Sequence, residues 1–260
     1  MAFTFFKDYL LHRLTAKTRH GTHSPFVYKL ADEVIYLKPH LEDYSIIEAQ
    51  RKRLLQDNDT IQVTDLGAGS QLNKDRTKKV RQIARNALKR PKLAQLIYRL
   101  AKFNNPRSII ELGTCLGITS AYLSKAAPTA KVITIEGCPN TAAVAGRNFR
   151  ALGLDNVQLE VGNFDDILPG ILKSQTQLDF VYIDGNHRKD ATLNYFEWCL
   201  PKVHENSMLI FDDIYWSEGM KEAWAEIKRH PQVTVTVDLF WIGLVFFKKG
   251  QARQDFKLKV

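Results

Sequence analysis

Three aspartates and a histidine stand where two apolar runs of the sequence end. Asp184 ends the first run, and His187 follows three residues later. Asp212 and Asp213 end the next run. If both runs are neighbouring strands of a parallel sheet, their ends meet at one edge and bring the carboxylates together. Converging carboxylates repel one another unless a cation compensates, and a hard divalent ion prefers such oxygen ligands. The pattern therefore predicts a metal site with Asp184, Asp212 and Asp213 as ligands. The alternative is that one or two of these acids only cap helices or contact solvent.

Two segments contain paired glycines that could approach a nucleotide, residues 64–70 and residues 111–117. Only the second is followed in order by a helix, a strand and an acid, Glu136, which lies 25 residues after Glu111. In open α/β sheets ligands bind at the carboxyl ends of the strands, where a glycine turn lets the backbone approach them. We therefore interpret residues 111–117 as the ligand loop and residues 64–70 as a loop or lid.

The acid that precedes the first glycine indicates the kind of ligand. In a dinucleotide fold the loop faces a pyrophosphate, which does not call for an acid at that position. Glu111 stands two residues before Gly113, where a carboxylate suits a ligand with a cationic amino-acid end. Glu136, at the end of the next strand, suits the hydroxyls of a ribose. The alternative is that Glu111 caps a loop and Glu136 is a surface acid.

The elements that must position these residues alternate regularly from residue 107 onward. Five strand–helix units are followed by two strands, residues 232–239 and 241–247, with no helix between them. Alternating strands and helices predict a parallel sheet covered on both faces, and so short a final connection predicts an antiparallel hairpin. The residues before this pattern are mostly helical. We predict a helical cap over residues 1–85 and a core over residues 86–260.

From about residue 86 to the end, the sequence resembles the class I S-adenosylmethionine-dependent methyltransferases, and within them the catechol O-methyltransferase-like group. The matching segments are Ile-Glu-Leu-Gly-Thr-Cys-Leu-Gly-Ile-Thr-Ser (110–120), Thr-Ile-Glu-Gly-Cys-Pro (134–139), Val-Tyr-Ile-Asp-Gly-Asn-His (181–187) and Ile-Phe-Asp-Asp (210–213). The resemblance implies a Rossmann-like, seven-stranded, mostly parallel sheet with a C-terminal antiparallel hairpin. Cys115 replaces the middle glycine of the usual three, as the group commonly tolerates.

The resemblance also implies which residues bind the cofactor and the metal. S-adenosylmethionine would contact Glu111, Gly113, Thr114, Cys115, Gly117, Glu136, Gly162, Asn163 and Phe164, the last three near adenine. Mg²⁺ would be held by the acids at 184, 212 and 213, and would bind two adjacent hydroxyls of the substrate. The catechol enzymes have asparagine at the position of Asp213, whereas the sugar-modifying relatives have aspartate there, as this chain does.

His187 occupies the place of the catalytic lysine of the catechol group. An imidazole exchanges protons near neutral pH, so His187 could take the proton of the acceptor hydroxyl, with Asp184 as the second catalytic candidate. The alternative is a histidine that orders its loop by bonding to a backbone carbonyl. Asn186, Tyr215 and Trp216 are candidates for the pocket, although the aromatic pair could equally belong to the core.

The positive charge is concentrated in the first part of the chain. Residues 1–110 hold 21 basic and 10 acidic side chains, whereas residues 111–260 hold 16 and 18. Nine basic residues lie between Lys74 and Lys92, opposed only by Asp75. This run, interpreted as helical, could contact RNA phosphates or steer an anionic substrate, and the alternative is a solvated helix face. Few aromatics interrupt it, so base stacking has little support.

Composition excludes several other classes of protein. Three cysteines cannot pair completely and show no Cys-x-x-Cys spacing, which favours a reducing compartment. No stretch reaches the roughly 18 apolar residues of a membrane span. The N-terminus lacks the features of a secretory signal, so we expect a cytoplasmic protein.

The apolar stripe of the N-terminal segment is expected to pack on the core or on a second copy, as in a homodimer. The loop with His20 and His23 could line a substrate entrance or be ordered structurally.

Together these features predict a Mg²⁺-assisted O-methyltransferase that uses S-adenosylmethionine on a small molecule with adjacent hydroxyls. Two alternatives stay open: an RNA methyltransferase that uses the basic run at residues 74–92, and a non-catalytic module that binds S-adenosylmethionine. Nothing in the sequence names the methyl acceptor.

Overall fold

The structure, a computed structural model, describes residues 2–64 and 77–260. The chain divides into two units, one formed by Lys38–Ile171 and the other by Met1–Leu37 with Leu172–Val260. Neither border coincides with the division predicted at residues 85 and 86. The helices before residue 86 are therefore shared between the two units, and the functional division into cap and core stays a prediction.

Helices and strands alternate along most of the chain. The helices are α1 (Ala2–Thr15), α2 (Pro25–Leu30), α3 (Glu42–Gln56), α4 (Val80–Ala87), α5 (Pro91–Asn104), α6 (Ile118–Ala126), α7 (Pro139–Ala151), α8 (Phe164–Ser174), α9 (Lys189–Cys199) and α10 (Glu218–Arg229). The strands are β1 (Thr60–Gln62), β2 (Thr77–Lys79), β3 (Ser108–Leu112), β4 (Lys131–Glu136), β5 (Val157–Val161), β6 (Leu178–Ile183), β7 (Val203–Asp212), β8 (Val235–Asp238), β9 (Ile242–Phe246) and β10 (Gln254–Lys257). Short 3₁₀ or π segments cover Arg19–Gly21, Ala31–Ile35 and Leu200–Lys202.

In the unit Lys38–Ile171, three parallel strands pair in the order β3-β4-β5. β3 is buried over almost its whole length, as expected for an apolar run inside a parallel sheet. Helix α5 leads into it, with Pro91 in the first turn and Asn105 in the left-handed conformation just after the last turn. Because β3, β4 and β5 are parallel neighbours, their carboxyl ends lie at one edge.

The basic run between residues 74 and 92 is not one helix. Lys78 and Lys79 belong to β2, which pairs antiparallel with β1, and helix α4 then ends before Pro91 starts α5. The backbone of Lys79 is extended and Pro91 fits only the first turn of a helix, so the run is divided at both places. Lys74, Arg76 and residues 65–70 of the glycine-containing alternative loop lie outside the described residues.

In the unit formed by residues 1–37 and 172–260, five strands pair in the order β10-β8-β9-β7-β6. β6 and β7 are parallel, and the predicted antiparallel hairpin of β8 and β9 is confirmed. The two units thus provide eight mostly parallel strands, where seven were predicted. The additional strand, β10, is a four-residue segment that pairs parallel with β8. Its short and mostly polar sequence carries little strand signal.

Helix α1 packs by one face on its own unit. The rings of Phe5 and Tyr9 lie 5.1 Å from the ring of Phe240, and both also contact Trp241. The opposite face exposes four apolar side chains: Phe6, Leu10, Leu11 and Leu14. Only part of the apolar N-terminal stripe therefore packs on the core as expected. No helix in the described part of the chain has the length and apolar character that crossing a membrane requires.

Candidate active site

The ligand loop lies at the carboxyl end of β3, between that strand and α6. The backbone N–H groups of Gly113 and Thr114 donate to the carbonyl of Ile135 in β4, at 2.9 and 3.2 Å. Cys115 adopts the left-handed conformation with φ 49°. This conformation is uncommon for a residue with a side chain, so the loop is held in one particular shape by its surroundings.

Gly117, the last residue of the loop, has a steric reason to be glycine. Its φ is +81°, and a Cβ there would lie 2.5 Å from Cε1 of Phe149 in α7. Both the conformation and the close contact exclude a larger residue without rearrangement. The end of the loop therefore rests directly on α7.

Glu111 is fully buried and supports the loop from inside the unit. Its Oε2 accepts hydrogen bonds from the hydroxyls of Ser120 and Thr134, the latter at 2.7 Å. The Thr134 hydroxyl also lies 2.6 Å from that of Thr114 in the loop. These bonds tie β3, β4 and α6 around the loop. Direct contact between Glu111 and a ligand stays a prediction.

Glu136 ends β4 beside the loop. Its Oε2 accepts from the backbone N–H of Cys115 at 2.8 Å, and its Oε1 accepts from that of Cys138 at 2.9 Å. An ionised carboxylate has about four acceptor positions, so this arrangement is compatible with further bonds to ribose hydroxyls. The backbone carbonyl of Glu136 accepts from Gly162 at 3.0 Å. Gly162, Asn163 and Phe164 therefore start beside Glu136, as the strand order predicts.

Two buried amides, which the sequence did not indicate, hold the loop from the side of α7. The Nδ2 of Asn148 donates to the carbonyl of Leu116 at 2.8 Å, and its Oδ1 accepts from the Nε2 of Gln50 in α3, also at 2.8 Å. Buried amides are retained when their hydrogen bonds are made. In the sequence, the feature that could have indicated this role is a polar residue, Asn148, next to Phe149 on the apolar face of α7.

A second cluster lies in the other unit, where β6 and β7 end. Asp184, His187 and Asp213 each place one ligand atom within 4.8 Å of the other two. The Nε2 of His187 lies 3.7 Å from Oδ1 of Asp184 and 3.7 Å from Oδ2 of Asp213. These separations exceed hydrogen-bond length, but they fit donor atoms that share one ion at roughly 2.0–2.6 Å. Two carboxylates and an imidazole are a donor set that suits a divalent metal.

Asp212 lies outside this cluster and is almost completely buried. It is the last residue of β7 and pairs with Ile242 of β9. Asp212 belongs to the extended strand, whereas Asp213 follows it with φ 54°, so the turn and not the strand directs the side chain of Asp213. The structure thus brings together two of the three predicted ligands, with His187 in the place expected for Asp212.

Both loops that carry the cluster contain a residue in the left-handed conformation. Asp213 has φ 54°, and its N–H donates to the carbonyl of Trp241 at 2.8 Å. Asn186 has φ 51°, and its Nδ2 donates to the hydroxyl of Tyr195 at 3.0 Å. Aspartate and asparagine tolerate this conformation better than most residues. Asn186, predicted as a pocket residue, thus shapes the loop that carries His187.

Tyr215, the other predicted pocket residue, is directed into the protein. Its hydroxyl donates to Oδ2 of Asp238 at 2.7 Å, and its ring stacks on Phe240 at 4.8 Å. Burial and the neighbouring carboxylate raise the pKa of Tyr215, so the hydroxyl remains a donor. Trp216, by contrast, is 55% exposed. Only the second member of the aromatic pair is therefore available to a ligand.

Asp238 connects this loop to helix α1. Its Oδ1 lies 3.0 Å from Nε2 of the buried His12 and accepts from the N–H of Phe240 at 2.9 Å. Burial raises the pKa of Asp238, but the bonds from His12, Tyr215 and Phe240 outweigh it and the pKa is lowered. His23, in the loop after α1, is exposed. The side chain of His20 lies outside the described part of the chain.

Comparisons with known proteins show relatives in sequence and in fold. Residues 110–214 match a family described as a methyltransferase domain. A catechol O-methyltransferase of Niastella koreensis is 30% identical over 127 residues, which are 48% of this chain and 57% of that protein. The O-methyltransferase imqG of Aspergillus flavus is 28% identical over 131 residues, 48% of this chain and 52% of that protein. The chain thus spans about half the length of the curated relatives it matches.

A solved structure supports the fold over a longer stretch. The O-methyltransferase TomG of Streptomyces achromogenes, involved in tomaymycin synthesis and solved in complex with S-adenosylmethionine, superposes with a TM-score of 0.58. The match covers 85% of this chain and 95% of that chain at 20% identity, which identifies the fold alone. Residues 110–214 therefore match a methyltransferase domain, within a stretch of the chain that is similar in sequence to O-methyltransferases.

Proposed function

We propose that this protein transfers the methyl group of S-adenosylmethionine to a hydroxyl oxygen of a small molecule, with the help of Mg²⁺. The observation that carries the proposal is the cluster of Asp184, His187 and Asp213, which follows two parallel strands within a methyltransferase fold. A fold of this class alone would suit many acceptors. A metal-type donor set at the ends of its strands favours an acceptor with adjacent hydroxyls.

The unit Lys38–Ile171 would bind the methyl donor. Glu136 would accept hydrogen bonds from ribose hydroxyls, and Gly162, Asn163 and Phe164 would lie along the adenine. The loop of Gly113, Thr114, Cys115 and Gly117, supported by Glu111, would face the amino-acid end. When bound, S-adenosylmethionine supplies a methyl group on a sulfonium, and Mg²⁺ supplies a Lewis acid that acidifies a hydroxyl.

The other unit would bind the acceptor. Asp184 and Asp213 would hold the cation, with either His187 or Asp212 as a third ligand. In the proposed reaction the C–O bond forms as the C–S bond breaks, the electron pair leaves with sulfur, and the hydroxyl proton passes to a base. His187 is the proposed base, since an imidazole accepts protons near neutral pH. If His187 is a metal ligand instead of the base, it would position the metal.

Calorimetry and a methyl-transfer screen test this proposal. We expect S-adenosylhomocysteine to bind, and Glu136→Ala to weaken that binding. The screen uses catechols, sugars and RNA as acceptors, with Mg²⁺ or with EDTA. Binding without transfer to any acceptor would indicate a non-catalytic module, and transfer to RNA alone would indicate an RNA methyltransferase. Absence of S-adenosylhomocysteine binding would refute the proposal.

The cellular setting and the oligomeric state belong to the same proposal. Cys115, Cys138 and Cys199 form no disulfide, which is compatible with the expected reducing, cytoplasmic compartment. The exposed apolar side chains of α1 are compatible with a homodimer. Light scattering on the purified protein would measure its mass directly.

A further inference from the structure

A cleft of about 340 Å³ opens between α3 and α7, within the unit Lys38–Ile171. Two guanidinium groups line it, that of Arg53 from α3 and that of Arg147 from α7. Both side chains are exposed, and neither forms an ion pair with a carboxylate of the described residues. Asp57 is the single acidic residue among the described residues that line the cleft. The cleft therefore carries a net positive charge.

The surface beside the cleft is also basic. The N–H of Arg81, at the start of α4, donates to the carbonyl of Asp57 at 2.9 Å, so α4 begins where α3 ends. Besides Arg53, the basic side chains of α3, β2 and α4 are Lys52, Lys78, Lys79, Arg81 and Arg85, together with Arg51, which is buried and paired with Glu48. Part of the excess positive charge of the first 110 residues thus lies next to the cleft. Such a field attracts anions and accelerates their association.

The cleft reaches the amides that hold the ligand loop. Gln50 and Asn148 both line it, and both are buried. Arg53 donates weakly to Oε1 of Gln50, at 3.4 Å. Gln50 donates to Asn148, which in turn donates to the carbonyl of Leu116. A group bound between the two arginines would therefore contact a chain of hydrogen bonds that ends in the ligand loop.

We propose that this cleft binds a phosphate group, held between Arg53 and Arg147. Guanidinium groups match phosphate geometry with paired hydrogen bonds, and two of them compensate a doubly charged anion. The phosphate belongs either to a small phosphomonoester, which is doubly charged when fully ionised, or to the singly charged backbone of a nucleic acid, since both present non-bridging oxygens to the cleft.

Binding in the cleft is also expected to change the affinity of the ligand loop for S-adenosylhomocysteine. Asn148 would be the positioning residue between the two sites. This second effect rests on the proposed function, whereas the phosphate site itself does not. The two claims therefore fail separately, because phosphate binding can be measured without any methyl donor.

The test is calorimetry on the full chain at low ionic strength. Inorganic phosphate is the probe in one arm, and a short single-stranded RNA is the probe in the other. We expect Arg53→Gln and Arg147→Gln each to weaken binding about tenfold, as expected for loss of a hydrogen bond to a charged group. Arg150→Gln removes an exposed arginine of the same helix that does not line the cleft, and should change affinity less than twofold.

The two arms distinguish the sources of the phosphate. Cleft-dependent binding of inorganic phosphate indicates a small phosphomonoester, and cleft-dependent binding of RNA alone indicates a nucleic-acid backbone. The proposal is overturned if the unmodified chain binds neither probe, or if Arg150→Gln reduces affinity as much as the cleft variants. Circular dichroism melting of each variant would show that the fold is retained.

Discussion

The carboxylates of the ligand loop and those of the metal cluster differ in what surrounds them. At the ligand loop, Glu111 and Glu136 accept hydrogen bonds from hydroxyls and backbone N–H groups of their own unit. At the metal cluster, Asp184 accepts from the hydroxyl of Tyr182 at 3.2 Å, and Asp184 and Asp213 each lie 3.7 Å from the imidazole of His187. The first pair fixes the backbone and hydroxyls around the ligand loop, whereas the second pair also gathers like charges that a cation would compensate.

This difference predicts which substitutions should affect folding and which should affect function. Carboxylates that are bonded within the chain contribute to stability, because their loss leaves buried donors without partners. Carboxylates that are gathered for a cation repel one another when it is absent, so their loss should preserve stability and remove activity. Four substitutions test this distinction and are given in decreasing order of expected effect.

Asp184→Ala should lower metal-dependent methyl transfer about a hundredfold or more, because it removes a ligand atom of the proposed cation. The melting temperature should change little, although the Tyr182 hydroxyl loses an acceptor at 3.2 Å. Methyl transfer and thermal melting should be measured together, with Asp190→Ala as the control at an exposed aspartate of α9. A large fall in melting temperature would mean that Asp184 is a structural residue.

Glu111→Gln should destabilise the protein by about 2–3 kcal/mol, since it disturbs a fully buried acceptor of two hydroxyl bonds. The melting temperature should fall by roughly 4–12 °C for a chain of this size. Calorimetric melting checks the expectation. An unchanged melting temperature together with lost binding of S-adenosylhomocysteine would instead make Glu111 a direct ligand.

Gly117→Ala should weaken binding of S-adenosylhomocysteine and destabilise the protein by about 2 kcal/mol, because the added methyl meets Phe149 in a left-handed backbone. Combining it with Phe149→Leu should restore part of the binding by making room. Titration of the single and double variants measures this coupling. If the double variant binds no better than Gly117→Ala alone, the contact with Phe149 is not what requires glycine.

Asp238→Asn should destabilise the protein by about 1.5 kcal/mol at neutral pH, since it weakens the bonds that join His12 and Tyr215. The pKa of Asp238 is lower in the folded chain, so the unfolded chain binds the proton more tightly. Its contribution is therefore complete above the ordinary aspartate pKa of about 4 and is lost as the pH falls through the lower, folded value.

Denaturant unfolding of this variant at several pH values measures this pH dependence of stability. The difference in stability between the unmodified chain and Asp238→Asn should shrink as the pH falls below about 4. Asp155→Asn, at an exposed position in the other unit, should show no such trend. A constant difference at all pH values would show that the carboxylate charge does not contribute.

Much of the fold was predictable because its signals are local. The apolar β-branched runs of β3, β4 and β6, and the proline and asparagine that bound α5, follow from propensity and capping. β10 was missed because four mostly polar residues form a strand only through pairing with β8. The division of the basic run at Lys79 likewise depends on pairing between β1 and β2, which no local pattern reveals.

The candidate site was predictable to the extent that strand ends determine it. Strand order brings Glu136 beside Gly162, and β6 beside β7, so their terminal residues meet. Which aspartate joins the cluster depends on the left-handed turn at Asp213, just beyond the end of β7, and strand order alone does not predict that turn. The link through Asn148 is tertiary and carries no sequence motif.

The rate of methyl transfer to a catechol, by protein depleted of divalent ions with EDTA, tests the metal cluster most directly. We expect transfer to be lost on depletion and restored by Mg²⁺ in the unmodified chain, but not in Asp184→Ala. Transfer that continues at the same rate in EDTA, or that Asp184→Ala leaves unchanged, would contradict the proposal that this cluster holds a cation for O-methylation.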